Sequence, residues 1–320
     1  MGCGVSWPLC LLRVSAFQIA LLLFTALAAP ASTYYLTITG LGGEPDFTQR
    51  FKMWADDIDT SLKRAGGDAN VVTMHVPSRE QVRTRFADLA RQVKANDTFV
   101  LVLIGHGTYD GVDYKFNLQG PDITAGELAA LMDRVPAQRQ LVVNTTECSG
   151  GSIEHLRRPS RIVVSATRSG TERNATVFAR YWAEALREPS ADTDKNEAIS
   201  ALEAFRYAQQ KTTDYFETQK RLATEHSVLE DTGKGTGERN PNNDNGEGKL
   251  AASFAVVRLG ANAAAARDPA KRPLLDRREQ LEQAIEKLKF EKAAMPEADY
   301  KRQLTQLLLE LAKVQEAIDK

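Results

Sequence analysis

Two residues of this chain stand where catalysis would need them. His106 lies between two glycines in LIGHGTYDG, and Cys148 lies in NTTECSGGS, just ahead of Ser149, Gly150 and Gly151. Each follows a run of apolar, β-branched residues, TFVLVLI (98–104) for the histidine and QLVVNT (140–145) for the cysteine. A thiol attacks a carbonyl as the thiolate, and near neutral pH it needs a base or a positive charge beside it, which an imidazole supplies. Glycine beside the base leaves a backbone N–H open to an oxyanion forming on a substrate carbonyl, so the amides of Gly107 and Cys148 are the natural donors. The chemistry predicted is acyl transfer from a peptide bond, with Cys148 as nucleophile and His106 taking the thiol proton and returning it to the leaving amine. The bland alternative is a loop histidine with satisfied bonds and a packed cysteine; the fall of both at strand ends beside glycine weighs against it.

The elements around these residues predict how they are held. YYLTIT (34–39), NVVTMHV (70–76), TFVLVLI, QLVVNT and RIVVSA (161–166) are short runs rich in Val and Ile, which suits strands covered on both faces. Between them, Phe47, Phe51, Trp54, Ile58 and Leu62 recur at helical spacing, as do Val82, Phe86, Leu89 and Val93 after a capping box of Ser78 with Gln81. Thr124 with Glu127 opens another helix, and 174–186 and 196–220 read as two more. Strands alternating with helices give an α/β class with a mostly parallel sheet and helices on both faces. One crossover separates the His106 and Cys148 strands, so both side chains are expected at the same carboxyl-end rim. Residues 230–248 are rich in Gly, Asn and acids and are expected to form a mobile surface loop, with AASFAVVRLG (251–260) as the closing strand.

In its motifs the chain resembles the caspase-like cysteine peptidases, and within them the legumain (asparaginyl endopeptidase) branch: a strand ending in His-Gly, a helix, then a strand ending in an acid and Cys followed by Ser-Gly. The similarity runs over roughly residues 33–260. It implies a caspase-like three-layer sandwich, with Cys148 as nucleophile, His106 as general base and acid, and Gly107 N–H holding the oxyanion. It also suggests Arg50, after the first strand, and Ser165, at the end of the strand following the cysteine, as substrate-binding residues. Arg50 would favour Asp or Asn before the scissile bond; a surface ion pair is its other reading. Two departures stand out: the acid is Glu147, immediately before the cysteine, with Thr146 where that branch commonly has it, and Thr48 stands where an Asn orients the histidine. The resemblance implies a cysteine endopeptidase that hydrolyses peptide or protein substrates through the Cys148–His106 dyad and a thioester acyl-enzyme; the alternatives are a transamidase and a non-catalytic binding or adaptor protein of the same fold that docks partners through its C-terminal helices.

The rest of the sequence bounds the setting. Residues 16–29, AFQIALLLFTALAA, follow Arg13 and end in small residues, so 1–31 is expected to be a secretory signal cleaved near Ala28 or Ala31, giving a periplasmic or extracellular protein. Cleavage removes Cys3 and Cys10 and leaves Cys148 as the single thiol, which excludes an internal disulfide. The run is too short for a spanning helix, and a net charge of -1 gives no reason to expect nucleic acid. The peptidase-like domain is expected over 32–260. Residues 261–320 read as a linker and a helical hairpin broken at Pro296, whose apolar stripe either packs on the core or meets a partner or a second copy. No metal or cofactor is expected: no His pair has zinc-ligand spacing, His75 and His226 read as structural, His155 could approach the site, and 230–248 lacks calcium-loop spacing.

Overall fold

The structure is a computed structural model that describes residues 1–2, 31–65, 69–242 and 244–320. The expected leader, apart from its ends, lies outside the described residues. No helix among the described residues is long and apolar enough to cross a membrane. In chain order the elements are β1 (Thr33–Thr39), α1 (Pro45–Ala65), β2 (Ala69–His75), α2 (Arg79–Gln92), β3 (Thr98–Ile104), β4 (Gly107–Tyr109), β5 (Tyr114–Phe116), β6 (Ile123–Thr124), α3 (Ala125–Asp133), β7 (Arg139–Asn144) and α4 (Ile153–Leu156). They continue with β8 (Arg161–Ser165), α5 (Phe178–Ala185), β9 (Ala198–Ser200), α6 (Ala201–Thr218), β10 (Val228–Glu230), α7 (Lys249–Ala252), β11 (Ala255–Arg258), α8 (Gly260–Arg267), α9 (Arg272–Glu291) and α10 (Glu297–Asp319).

The central sheet has the order β10-β8-β7-β3-β1-β2, parallel throughout except for β10 at one edge. Alternate residues of the buried strands face opposite layers, so each strand feeds two cores. Val100, Val102 and Ile104 of β3 pack with Phe51 and Trp54 of α1 and with α5 and α6. Phe99, Leu101 and Leu103 pack on the other side with α2 and α3. The result is a three-layer α/β sandwich. The capping box at Ser78 forms as its spacing predicts, while Thr124 caps α3 with its side chain accepting from Glu127 N.

Two expectations fail in the second half. The closing strand of the sheet is the three-residue β10, antiparallel to β8, whereas β11 leaves the sheet and pairs with β9. The acid-rich stretch 230–248 is anchored at its two ends, where Glu230, Asp231 and Glu247 are buried. The carboxylate of Asp231 accepts from Gly248 N (2.8 Å) and Ala251 N (3.0 Å), and that of Glu247 accepts from Asp231 N (3.0 Å) and the Thr232 hydroxyl (2.7 Å). These acids replace a missing apolar core with charge-assisted bonds to backbone.

The C-terminal hairpin folds back on the sandwich. Leu281, Ile285 and Leu288 of α9 are buried, Arg258 at the end of β11 pairs with Glu279 at 2.6 Å, and Arg278 donates to the carbonyl of Asn196 at 2.6 Å. Residues 260–267, within the expected linker, form α8, whose Ala265 and Ala266 pack with Leu275 and Ile318.

Candidate functional site

The chain reverses direction across the sheet between β1 and β3, since β2 lies outside β1 on one side and β7 and β8 lie beyond β3 on the other. Such a switch point opens a crevice at the strand carboxyl ends. His106, Glu147 and Cys148 follow β3 and β7 there, and the loop from Gly40 to Glu44 follows β1.

His106 is held at both ring nitrogens. Nδ1 lies 2.6 Å from Glu147 Oε1, and Nε2 lies 3.2 Å from the carbonyl oxygen of Gly42. Phe47 and Phe51 of α1 set their rings edge-on to the imidazole, with centroids at 4.7 and 5.1 Å. Both nitrogens face acceptors, so the ring is suited to the doubly protonated cation. The hydrogen bond to Glu147 accordingly raises the imidazole pKa above its usual 6.5, against the opposing effect of burial. Gly42 orients the ring; Thr48 does not, its hydroxyl going to the carbonyl of Glu44 at 3.1 Å.

Glu147 also reaches the neighbouring amide. Gly107 N donates to Glu147 Oε2 at 3.3 Å, so the expected oxyanion donor and the expected base hold one carboxylate between them. The absence of a side chain at 107 is required, because a Cβ there would lie 2.5 Å from the Thr146 hydroxyl and 2.6 Å from the carbonyl of Glu147.

Cys148 is not among the groups bonded to the imidazole. Its backbone is left-handed, φ 59° and ψ 4°, its amide donates to the carbonyl of Glu172 at 2.8 Å, and its side chain joins the apolar cluster on the α2 and α3 face. The residue is 2% exposed. Burial, and then the charge of Glu147, push the thiol above its ordinary range, with Arg173 and the backbone at Tyr109 opposing. The structure brings His106, Gly107 and Cys148 to one rim, but the group against the imidazole is the carboxylate one residue before the sulfur.

The other expected residues fall as follows. Arg50 forms a surface pair with Asp46 at 3.1 Å and also borders a cleft. Ser165 is fully buried, donating to Thr167 O at 2.7 Å and meeting the Ser149 hydroxyl at 2.8 Å, so it braces the turn after Cys148. His155 is 4.0 Å from Asp113, and His75 pairs with Asp56. His226 bonds Glu172 at 2.6 Å, and thereby supports the carbonyl that holds Cys148 N. The sequence reading missed the Tyr114 hydroxyl, which bonds the Thr146 hydroxyl at 2.6 Å and Asn144 Oδ1 at 3.2 Å. It also missed Glu147 as the partner of the histidine. The only signal in the sequence was chemical: a carboxylate complements an imidazole.

Beside Phe47 opens a cleft of about 550 Å³, bounded by Arg50, Trp54, Arg180, Phe216 and Arg221. Its floor is aromatic and its rim basic.

The architecture is a three-layer α/β sandwich with a histidine–carboxylate pair at its carboxyl-end crevice. Among solved structures the chain is similar to caspase-1 from Spodoptera frugiperda, at 12% identity over 63% of this chain and 87% of that one, with a TM-score of 0.45. It is similar also to the Drosophila initiator caspase Dronc, at 9% identity over 64% of this chain and 81% of that one, TM-score 0.43. No family model matches the chain, and no curated protein matches it.

Proposed function

We propose that this chain is a caspase-fold binding protein that takes a peptide segment at its crevice and does not cleave it in the conformation described. The observation that carries this reading is the Glu147 carboxylate lying between His106 Nδ1 and Gly107 N. Cleavage needs a ring nitrogen free to accept a thiol proton and an amide free to meet an oxyanion. Glu147 engages both, and Gly42 takes the remaining nitrogen. The peptide surface is the adjoining cleft, where aromatic side chains offer apolar area and Arg50, Arg180 and Arg221 offer donors to carboxylates or carbonyls.

A second reading, a cysteine peptidase acting through Cys148, is supported by the closeness of parts: the sulfur belongs to the residue after Glu147, at the rim that holds His106 and Gly107. It requires the Glu147 carboxylate to leave the ring nitrogen and the Gly107 amide. A thiol-reactive peptide probe separates the two. The binding reading expects no activity-dependent labelling of wild type or Cys148→Ala, and labelling of the double variant Glu147→Cys with Cys148→Ala, which sets a thiol beside the imidazole. Labelling of wild type that Cys148→Ala abolishes establishes the peptidase reading instead.

A further inference from the structure

Residues 192–203 read DTDKNEAISALE and enter α6. Counting Asp192 as the first, oxygen-bearing side chains stand at positions one, three, five, nine and twelve: Asp192, Asp194, Asn196, Ser200 and Glu203. Position seven, Ala198, has a backbone carbonyl to offer. This is the ligand order of a twelve-residue calcium loop, in which carboxylates, an amide, a carbonyl and a closing glutamate wrap one hard cation. The sixth position of such loops makes a sharp left-handed turn and is normally Gly. Here it is Glu197, and its φ is nevertheless 59°.

The fold gathers what the spacing promises. One carboxylate oxygen each from Asp192, Asp194 and Glu203 lie within 4.8 Å of one another, and Asp192 and Glu203 are buried. Ile199, at position eight, is fully buried, and its strand pairs with β11, which fixes the second half of the loop. A separate observation concerns space: Asp194, Asn196, Ala198 and Ser200, positions three to nine, border a cavity of about 230 Å³ whose far wall includes Glu282 and Glu286 of α9. The middle of the loop therefore borders a cavity that carries three further acids, Glu279, Glu282 and Glu286, beside Lys289. Carboxylates at this spacing repel one another, and a divalent cation removes that repulsion.

We propose that residues 192–203 form a calcium site, ligated by Asp192, Asp194, Asn196, the Ala198 carbonyl and Glu203, with Ser200 acting through water. The all-oxygen, flexible donor set suits calcium over magnesium, which demands stricter octahedral geometry. The site would also tie the C-terminal helices to the sandwich, since Asn262 of α8 and Arg278 of α9 both donate to the carbonyl of Asn196 inside the loop.

Calorimetric titration of the full chain, stripped with EDTA and given calcium or magnesium chloride, tests this. The expected result is one calcium per chain, magnesium weaker by about tenfold or more, and a melting midpoint that rises with calcium. Asp194→Asn changes an exposed side chain that accepts from the backbone and side-chain amides of Asn196. It should raise metal-free melting slightly, by removing one of the repelling charges, and weaken calcium by about tenfold or more, while Asp244→Asn, in the other acidic segment, should change nothing. Two results overturn the site: neither heat nor a midpoint shift at about 10 mM calcium, above the weakest range of such loops, or binding that Asp194→Asn leaves intact.

Discussion

His106 Nδ1 and Glu147 Oε1 are 2.6 Å apart, and this pair closes the crevice at the ends of β3 and β7. Its first consequence is a pH signature. The hydrogen bond to Glu147 raises the histidine pKa above 6.5, so the folded state holds the proton more tightly than the unfolded chain does. The stability this contributes is full below pH 6.5 and fades as pH rises through the folded value. An NMR titration of the imidazole should show His106 protonated above pH 6.5, and Glu147→Gln should move its midpoint down. A midpoint at or below 6.5 in wild type would remove the ion pair from the account.

The second consequence concerns the thiol. Cys148 is 2% exposed, and burial raises its pKa. Alkylation of the folded protein near pH 7.5 should run about a hundredfold or more slower than in denaturant, because the reaction waits for local opening. Cys148→Ser, which puts a hydroxyl among apolar neighbours, should lower stability by about 1–3 kcal/mol in a denaturant melt. Alkylation as fast in the folded as in the unfolded protein would mean that the sulfur faces solvent.

The sheet was legible in the sequence because continuous β-branched runs have few other solutions: five runs became β1, β2, β3, β7 and β8 within a residue or so of their expected bounds. The site was legible to within one residue. That residue matters, because which of Glu147 and Cys148 faces His106 depends on the left-handed turn at Cys148, φ 59°, which no hydrophobic period encodes. The anchoring of the two ends of 230–248 was hidden for another reason. Its acids look solvated in a linear sequence, whereas in the fold their oxygens accept backbone amides: Glu230 Oε1 from Thr232 and Lys234, and Asp231 from Gly248 and Ala251. β10, only three residues long, takes its place from its pairing with β8 and carries no pattern of its own.

Glu225, at the start of α5, gives a further prediction. It accepts from Val177 N at 2.8 Å and Phe178 N at 3.3 Å at the start of α5, and burial pushes its pKa up to about 7, against those two bonds. A carboxyl raised from 4.5 to about 7 binds its proton more tightly when folded. Its contribution is therefore present below pH 4.5 and lost as pH climbs through 7, on the order of 3 kcal/mol over that window. Glu225→Gln, neutral at every pH, should flatten the decline between pH 5 and 8 in denaturant melts. A wild-type curve that already matches the variant would mean that Glu225 is solvated.

The tail can be tested as part of the core. Leu281, Ile285 and Leu288 of α9 are buried, Arg258 and Glu279 pair across the boundary, and Arg278 holds the Asn196 carbonyl. A hairpin that served only as a docking module could be removed with little effect on the sandwich. These contacts predict the opposite: truncation after Gly260 strips the cover from β11 and from the 192–203 loop and should cause loss of soluble protein. Leu281→Ala should cost about 2–5 kcal/mol, as a buried leucine does when it leaves a cavity. Leu309 of α10 is exposed, so Leu309→Ala should change stability by less than about 0.5 kcal/mol. A stable, soluble 31–260 fragment with an unchanged melt would assign the hairpin to partner contacts.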